Sequence, residues 1–321
     1  MRVMGGIMNY KKQFGAIIIL MLSLMVSAQD YDRVDATIQL YPTRCDTPED
    51  LSRFISRDFE TDDEKVRAIY SWIIQNIAYD PDEYKKFDYS FRQYRERNIK
   101  EEESRKKIIH RTIQKGLAVC EGYAMLFERL CELLGIDSYL VRGDTKSNFE
   151  DIGRPFDTVH MWNVAFIDGE PYLFDPTWGA GKFHQRFIKD TSYYYYKTAP
   201  EKFIKTHYPD MTEDTFLNDV ISRSDFSMMP LIIDKEMHYS DLIQPTEGII
   251  HSEMYFDEIQ FTVKNRNPGT IHYSYGGGNM YSVNEINNEN DQLHFSVPLP
   301  IGQQDLLIYF DKKPALGFKV K

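Results

Sequence analysis

Cys120, His160 and Asp175 are the residues of this chain whose types and order could do nucleophilic chemistry. A thiol works as a nucleophile when it can shed its proton and has an imidazole beside it. A third group must hold that imidazole in the right tautomer. Cys120 lies in the run Gly-Leu-Ala-Val-Cys-Glu-Gly-Tyr-Ala (116–124), with His160 and Asp175 supplied by two β-rich runs downstream. Together they could carry acyl transfer through a thioester; in the serine analogue, loss of the orienting acid costs about 10⁴ in rate. Each has a plainer role when taken alone. Buried free cysteines are common, a strand histidine usually packs, and an Asp before Pro can simply end a strand. The combination points to catalysis. Glu121, next to the thiol, adds a negative charge that opposes thiolate formation.

These residues need elements to position them. Ala124, Phe127, Leu130, Cys131 and Leu134 recur at helical spacing and Gly135 caps the end, so Cys120 is expected at or just inside a helix N-terminus. There the helix dipole favours a thiolate. Cys131, amid leucines, reads as core. Asp168-Gly169 between His160–Ile167 and Glu170–Asp175 is a two-residue hairpin signal. That turn sets Trp162 opposite Asp175 and His160 opposite Thr177. His160 and Asp175 then become diagonal neighbours on one sheet face, about 7–8 Å apart along the backbone and within side-chain reach.

Upstream, Pro48–Phe59 reads as a helix. A second helix is capped by Thr61 and Glu64, with Val66, Ile69, Tyr70, Ile73 and Ile77 on its apolar stripe, and it runs to Tyr79 before Asp80-Pro81. Lys85–Lys115 holds 11 basic and 5 acidic residues and reads as a solvated helix-and-loop insertion rather than a binding strip. A short strand is expected at Ser138–Val141, then a polar loop from Asp144 to Asp157. After a tyrosine run at 193–196, Pro200–His207 reads as helical. From about Ile232 strand signals dominate: Ile249–Phe256, Ile259–Val263, Ile271–Tyr275, Leu293–Val297, Asp305–Phe310 and Leu316–Val320. Short strands with Gly and Pro turns suggest a small β-sandwich, with the boundary near residue 233.

The 321 residues suffice for two domains. Lys11 and Lys12, the apolar run Phe14–Val26 and the small residues Val26-Ser27-Ala28 have the layout of a signal peptide cleaved after about Ala28. The run is short for a membrane span. The expected domains are a leader at 1–28, a catalytic-type domain at 29–232 and an accessory β-sandwich at 233–321. Leader removal takes three basic residues and no acids, so the formal charge goes from −11 to −14. Such a balance argues against nucleic-acid binding. Only Cys45, Cys120 and Cys131 remain, an odd and small number for an exported chain that relied on disulfides. There is no G-x-S-x-G, P-loop, C-x-x-C or H-E-x-x-H. His110, His184, His207, His238, His251, His272 and His294 show no ligand spacing, so neither a metal nor a cofactor is expected.

Three segments carry a family resemblance: Cys-Glu-Gly-Tyr-Ala (120–124), His-Met-Trp-Asn-Val (160–164) and Phe-Asp-Pro-Thr-Trp-Gly (174–179). With the helix Val66–Tyr79 they resemble the transglutaminase-like superfamily, in the branch of the kyphoscoliosis peptidase and the cytokinesis-associated transglutaminase-like proteins. The resemblance covers about residues 46–230. It implies an α+β, papain-like core with the thiol helix packed on an antiparallel sheet. By position Cys120 is the nucleophile, His160 the base and Asp175 the orienting acid. Trp162, Asn163 and Trp178 fall within the signatures as packing or supporting residues. Animal transglutaminases add a tryptophan upstream of the thiol for the oxyanion, and no Trp lies between Trp72 and Cys120 here. The Cys120 N–H is a candidate donor in its place. No calcium signature is present, which favours a thiol hydrolase over a cross-linking enzyme. The expected protein is an exported thiol acyl-transfer enzyme acting on a protein or peptide substrate, with no stable membrane span after leader cleavage. The alternative is a catalytically silent envelope binding or scaffold protein that keeps the fold. A Cys120 sulfur out of reach of His160, or a cleft blocked by Tyr193–Tyr196, would favour that alternative.

Overall fold

Local capping signals set two of the helices that precede the thiol. The computed structural model describes residues 31–86, 94–252, 257–300 and 302–321, so the expected leader lies outside the described residues. Helix α1 (Asp32–Ile38), not expected from the sequence, is short and is held by buried Val34 and Ile38. Helix α2 (Pro48–Asp58) starts at Thr47, whose side chain and Asp50 form a reciprocal capping box. Helix α3 (Asp62–Asn76) starts at the expected Thr61/Glu64 box. It ends three residues early. Ala78–Tyr79 instead form strand β1, paired in parallel with β2 (Leu117–Ala118). The freed carbonyls have partners: Lys189 Nζ donates to Ile74 O at 2.7 Å, and Tyr123 Oη donates to Ile77 O at 2.9 Å.

Most of the basic stretch is helix α4 (Tyr94–Lys115); residues 87–93 within it lie outside the described residues. Ile108, Ile109 and Ile113 are buried against the body. Arg105 pairs with Glu128 and Arg111 with Glu83, whereas Lys106 and its partner Glu102 stay in solvent. A solvated charge run pinned at a few points accounts for this helix.

Helix α5 (Cys120–Leu133) follows, closed at its end by Gly135 at φ +73° and an Ile136 N–H bond to Cys131 O of 3.0 Å. It packs across an antiparallel sheet made of β3 (Ser138–Thr145), β4 (His160–Ile167), β5 (Glu170–Phe174), β8 (Tyr196–Thr198) and β9 (His207–Pro209). The strands lie in the order β8–β5–β4–β3–β9. Between β5 and β8 in the chain, β6 (Gly181–His184) and β7 (Arg186–Lys189) pair with each other as a separate hairpin. Strand β3 runs four residues past the expected end because β9 pairs with Gly143–Thr145. Asp168 and Gly169, both at positive φ, join β4 to β5 as expected. Asn163 on β4 donates to Ala124 O of the thiol helix at 3.0 Å, tying helix to sheet.

The C-terminal region is all β. One sheet has the order β10 (Leu231–Ile232), β19 (Lys313–Val320), β18 (Asp305–Phe310), β14 (Ile271–Tyr275) and β15 (Tyr281–Ser282), with β12 (Ile249–Ile250) beside β19. Only those first two residues of the expected strand Ile249–Phe256 are laddered, and 253–256 lie outside the described residues. The other sheet has β11 (Leu242–Gln244), β13 (Glu258–Lys264), β17 (Gln292–Pro298) and β16 (Ile286–Glu289). Alternating residues such as Ile259, Phe261 and Val263 meet Leu306, Ile308 and Phe318 in a shared core. Buried lysines hold the segment that leads from the first lobe into the second. Lys146 Nζ donates to Ser227 O and Met229 O, and Lys205 Nζ donates to Asp234 O and Met237 O.

Candidate active site

Cys120 is the first residue of α5, preceded by an extended Val119, so its sulfur stands where the unpaired N–H groups of the helix gather. The approach to it is held by the β1–β2 pair: Ala78 N–H bonds Gly116 O at 2.8 Å and Asp80 N–H bonds Ala118 O at 3.0 Å. Cys120 is half-buried, whereas Cys45 and Cys131 are buried, and all three are free thiols.

His160 opens β4 opposite Gly143 of β3. The β4–β5 register is the expected one, with Ile167 opposite Glu170 and Asn163 opposite Phe174. The ladder then stops, and Thr177 does not face His160. Pro176 starts the short helix α6 (Pro176–Ala180) with Asp175 as its N-cap. That change of path brings the acid closer than a continued strand would. Asp175 Oδ1 accepts from the Thr177 and Trp178 N–H groups at 2.8 and 3.1 Å. Its Oδ2 accepts from His160 Nε2 at 2.8 Å. His160 Nδ1 is thereby not used by Asp175, and Cys120 lies close enough to favour a charged imidazole.

Sequence reasoning misses His207, which has no ligand spacing and falls at the end of an expected helix. The helix, α7, covers only Pro200–Phe203, and His207 instead opens β9, paired with Thr145. Fully buried, it approaches Asp175 Oδ2 with Nε2 at 3.0 Å. Thr206 Oγ1 donates to its Nδ1 at 2.8 Å. Strand alternation relative to β3 is the signal that could have found it, but the β3–β9 pairing is not encoded locally. Trp162 and Trp178 both pack on the two imidazoles; the Trp178 ring lies 6.0 Å from His160 and 4.6 Å from His207.

His160, Asp175 and His207 present ligand atoms within 4.8 Å of one another, a set that could hold a metal ion. The hydrogen bonding suits a different purpose. Both imidazoles turn an N–H to the same carboxylate oxygen, and a metal would have to displace both protons.

Burial opposes a charged His160, but the Asp175 carboxylate and Cys120 override it and lift the imidazole to about 10. Burial likewise opposes an ionised Asp175, and His160 and His207 hold it well below the usual carboxylate range. Burial pushes His207 down to about 4 against the pull of Asp175, so it is a neutral donor. These shifts have a sign for stability. A raised histidine stabilises below its free value of about 6.5, and that contribution is lost as pH climbs through about 10. Burial also lowers Lys146 to about 7 and Lys189 and Lys205 to about 8, which gives the opposite slope above neutrality. The stability difference between the native chain and His160→Gln cancels the lysines. It is expected to shrink steadily from about pH 6.5 to 10 in denaturant titrations. A flat difference would mean that the buried imidazole is not charged.

Residues 49–176 match the family model described as the transglutaminase-like superfamily. The chain is similar to human kyphoscoliosis peptidase, 31% identical over 196 residues that make up 59% of this chain and 27% of that protein. It is also similar to the Lim and transglutaminase domain protein ltd-1 of Caenorhabditis elegans, 26% identical over 65% of this chain and 28% of that one. The crystal structure of a TGase aligns at 17% identity over 57% of this chain and 42% of that one, with a TM-score of 0.28. The chain thus spans little more than a quarter of the length of these curated relatives. All three signature residues fall inside the matched region, so residues 49–176 carry a transglutaminase-like domain, with kyphoscoliosis peptidase among the proteins it is similar to.

Proposed function

We propose that the chain is a thiol acyl-transfer enzyme in which Cys120 attacks a peptide or amide carbonyl, with hydrolysis favoured over cross-linking. The observation that supports this best is the buried His160–Asp175 hydrogen bond close to Cys120, a thiol that is not itself buried. The other thiols are poor nucleophiles, since burial pushes Cys45 up to about 11 and Cys131 up to about 12. An open cleft of about 760 Å³ reaches His160. Trp178, Tyr194 and Tyr195 line it, together with Ile232 and Ile233 at the start of the β region. The tyrosine run forms a wall of this cleft.

In the proposed cycle the Cys120 thiolate adds to the carbonyl carbon while the Cys120 N–H stabilises the oxyanion. The protonated His160 then gives its Nδ1 proton to the leaving amine, and a thioester remains on Cys120. His160, now neutral, takes a proton from an incoming water, which attacks the thioester and releases acid and thiol. Trp162 and Trp178 wall the imidazole, and Asn163 holds the helix that carries the sulfur. An upstream tryptophan of the kind animal transglutaminases use is missing between Trp72 and Cys120, which supports water as the second acceptor.

Incubation with p-nitrophenyl acetate should release a burst of nitrophenolate and leave one acetyl group on Cys120, detectable by peptide mass. Cys120→Ala is expected to abolish the burst. Equal, slow modification of all three cysteines would instead favour a silent scaffold.

A further inference from the structure

The hydrogen bonds at this site continue past the acid. Thr206 Oγ1 donates to His207 Nδ1, and His207 Nε2 donates to the Asp175 oxygen that also holds His160. We propose that His207 is a positioning residue for this site: with Nε2–H turned to the carboxylate and Nδ1 held by Thr206, it pins Asp175 Oδ2 so that His160 presents Nδ1 to Cys120. The proposal rests on Cys120 being the nucleophile.

Without His207, the only side-chain donor to Oδ2 among the described residues would be His160, whose own orientation depends on Asp175. The two groups could then turn together. Oδ1 is anchored independently by the Thr177 and Trp178 N–H groups, so a second anchor on Oδ2 fixes the plane of the carboxylate. His207 is itself immobile. Its backbone is laddered to Thr145, and its ring is stacked on Phe203 at 4.3 Å and pressed by Trp178 at 4.6 Å. Asp175 Oδ2, which can only accept, puts the hydrogen on Nε2, and Thr206 donates to the Nδ1 that this leaves open. The Thr206 hydroxyl also lies 3.4 Å from Phe203 O, but the 2.8 Å contact to Nδ1 is the shorter and takes the proton. Nδ1 therefore accepts and Nε2 carries the hydrogen. A carboxylate that already receives four N–H groups has its lone pairs filled, so the mobile proton stays on His160 until the leaving group takes it. Neutrality of His207 matters for the same reason, since a second imidazolium would compete with His160 for Asp175.

Three variants of the full chain test this. Thr206→Val keeps the volume of threonine and removes the hydroxyl that holds Nδ1. Thr206→Ser keeps that hydroxyl, and His207→Phe keeps a ring and removes the N–H. Long-range proton–nitrogen spectra of the histidine rings should show neutral His207 with hydrogen on Nε2 in the native chain, Thr206→Ser and Thr206→Val, with a hydrogen-bonded Nδ1 in the first two. Alkylation of Cys120 by iodoacetamide at about pH 6, below the free-thiol value of about 8.5, reads the effect at sulfur. His207→Phe should slow it by ~10- to ~100-fold, the range for loss of an outer hydrogen-bonding partner at a site. Thr206→Val should slow it less, and Thr206→Ser should restore the native rate. Native-like His160 ring signals and alkylation in both His207→Phe and Thr206→Val would overturn the positioning role. So would equal slowing in Thr206→Val and Thr206→Ser. If Cys120 of the native chain is no more reactive than Cys45 and Cys131, the nucleophile assignment fails, and the His160 spectra alone judge His207.

Discussion

Asp175→Asn is expected to cut acetylation of Cys120 about 10⁴-fold while the chain still folds. The fold should tolerate it because asparagine caps helices as well as aspartate does, so its Oδ1 can still accept the Thr177 and Trp178 N–H groups. The other side of the group changes sign. An amide NH₂ replaces Oδ2 and meets two N–H groups, on His160 and His207, where both now find an acceptor. His160 can escape only by moving its hydrogen to Nδ1, which then opposes the thiol in place of serving it. Burial gives no water to relieve the conflict, since Asp175 is fully buried. Each buried group left without a partner costs about 1–3 kcal/mol, so a lower unfolding midpoint should accompany the lost rate. Burst kinetics with p-nitrophenyl acetate and a urea titration measure the two effects. A burst within about tenfold of the native rate would leave Asp175 as a helix cap and nothing more.

Gly143→Ala carries the second large expectation, and it concerns strand spacing. A Cβ at 143 would sit 2.1 Å from Tyr208 O, 2.6 Å from the Trp162 ring and 2.8 Å from Pro209 Cα. Two of these neighbours are backbone of β9, and the third is a fully buried ring. None can step aside cheaply. Gly143 pairs with Pro209 on one side and His160 on the other, so relief requires β9 to move away, taking His207 from Asp175, or Trp162 to leave the two imidazoles. Overpacking of this kind costs about 1–3 kcal/mol and sometimes more. The variant should therefore unfold at clearly lower urea and also acetylate Cys120 more slowly. Native stability would mean that β3 and β9 lie farther apart than the structure has them.

Local physics makes a good part of this site legible in the amino-acid order alone. The Asp168-Gly169 turn fixes a hairpin register, and with period two that register puts His160 and Asp175 on the same side. The apolar spacing after Gly116 and the cap at Gly135 locate the thiol at a helix start. Thr47 and Thr61 announce α2 and α3. In each case the interacting residues lie within a few positions of one another, so composition and spacing hold the information. Where a local rule misleads, long-range contacts overrule it. Pro200 opens a helix as expected, yet the segment leaves it after one turn because Lys205 is used to bind carbonyls of the interlobe connection and His207 to pair with β3. A helix of one turn has little stability of its own to resist that.

By itself, then, the amino-acid sequence determined the three chemical groups, the helix start beneath the sulfur and the hairpin that sets imidazole beside carboxylate. Only the tertiary structure decided that Asp175 would leave its strand to cap α6, that a second imidazole from 32 residues away would share its oxygen, and that Ile232 and Ile233 would wall the cleft. The reason is physical: such meetings depend on how strands and lobes pack once their apolar faces are buried, and no periodicity within one segment records which distant segment it will face.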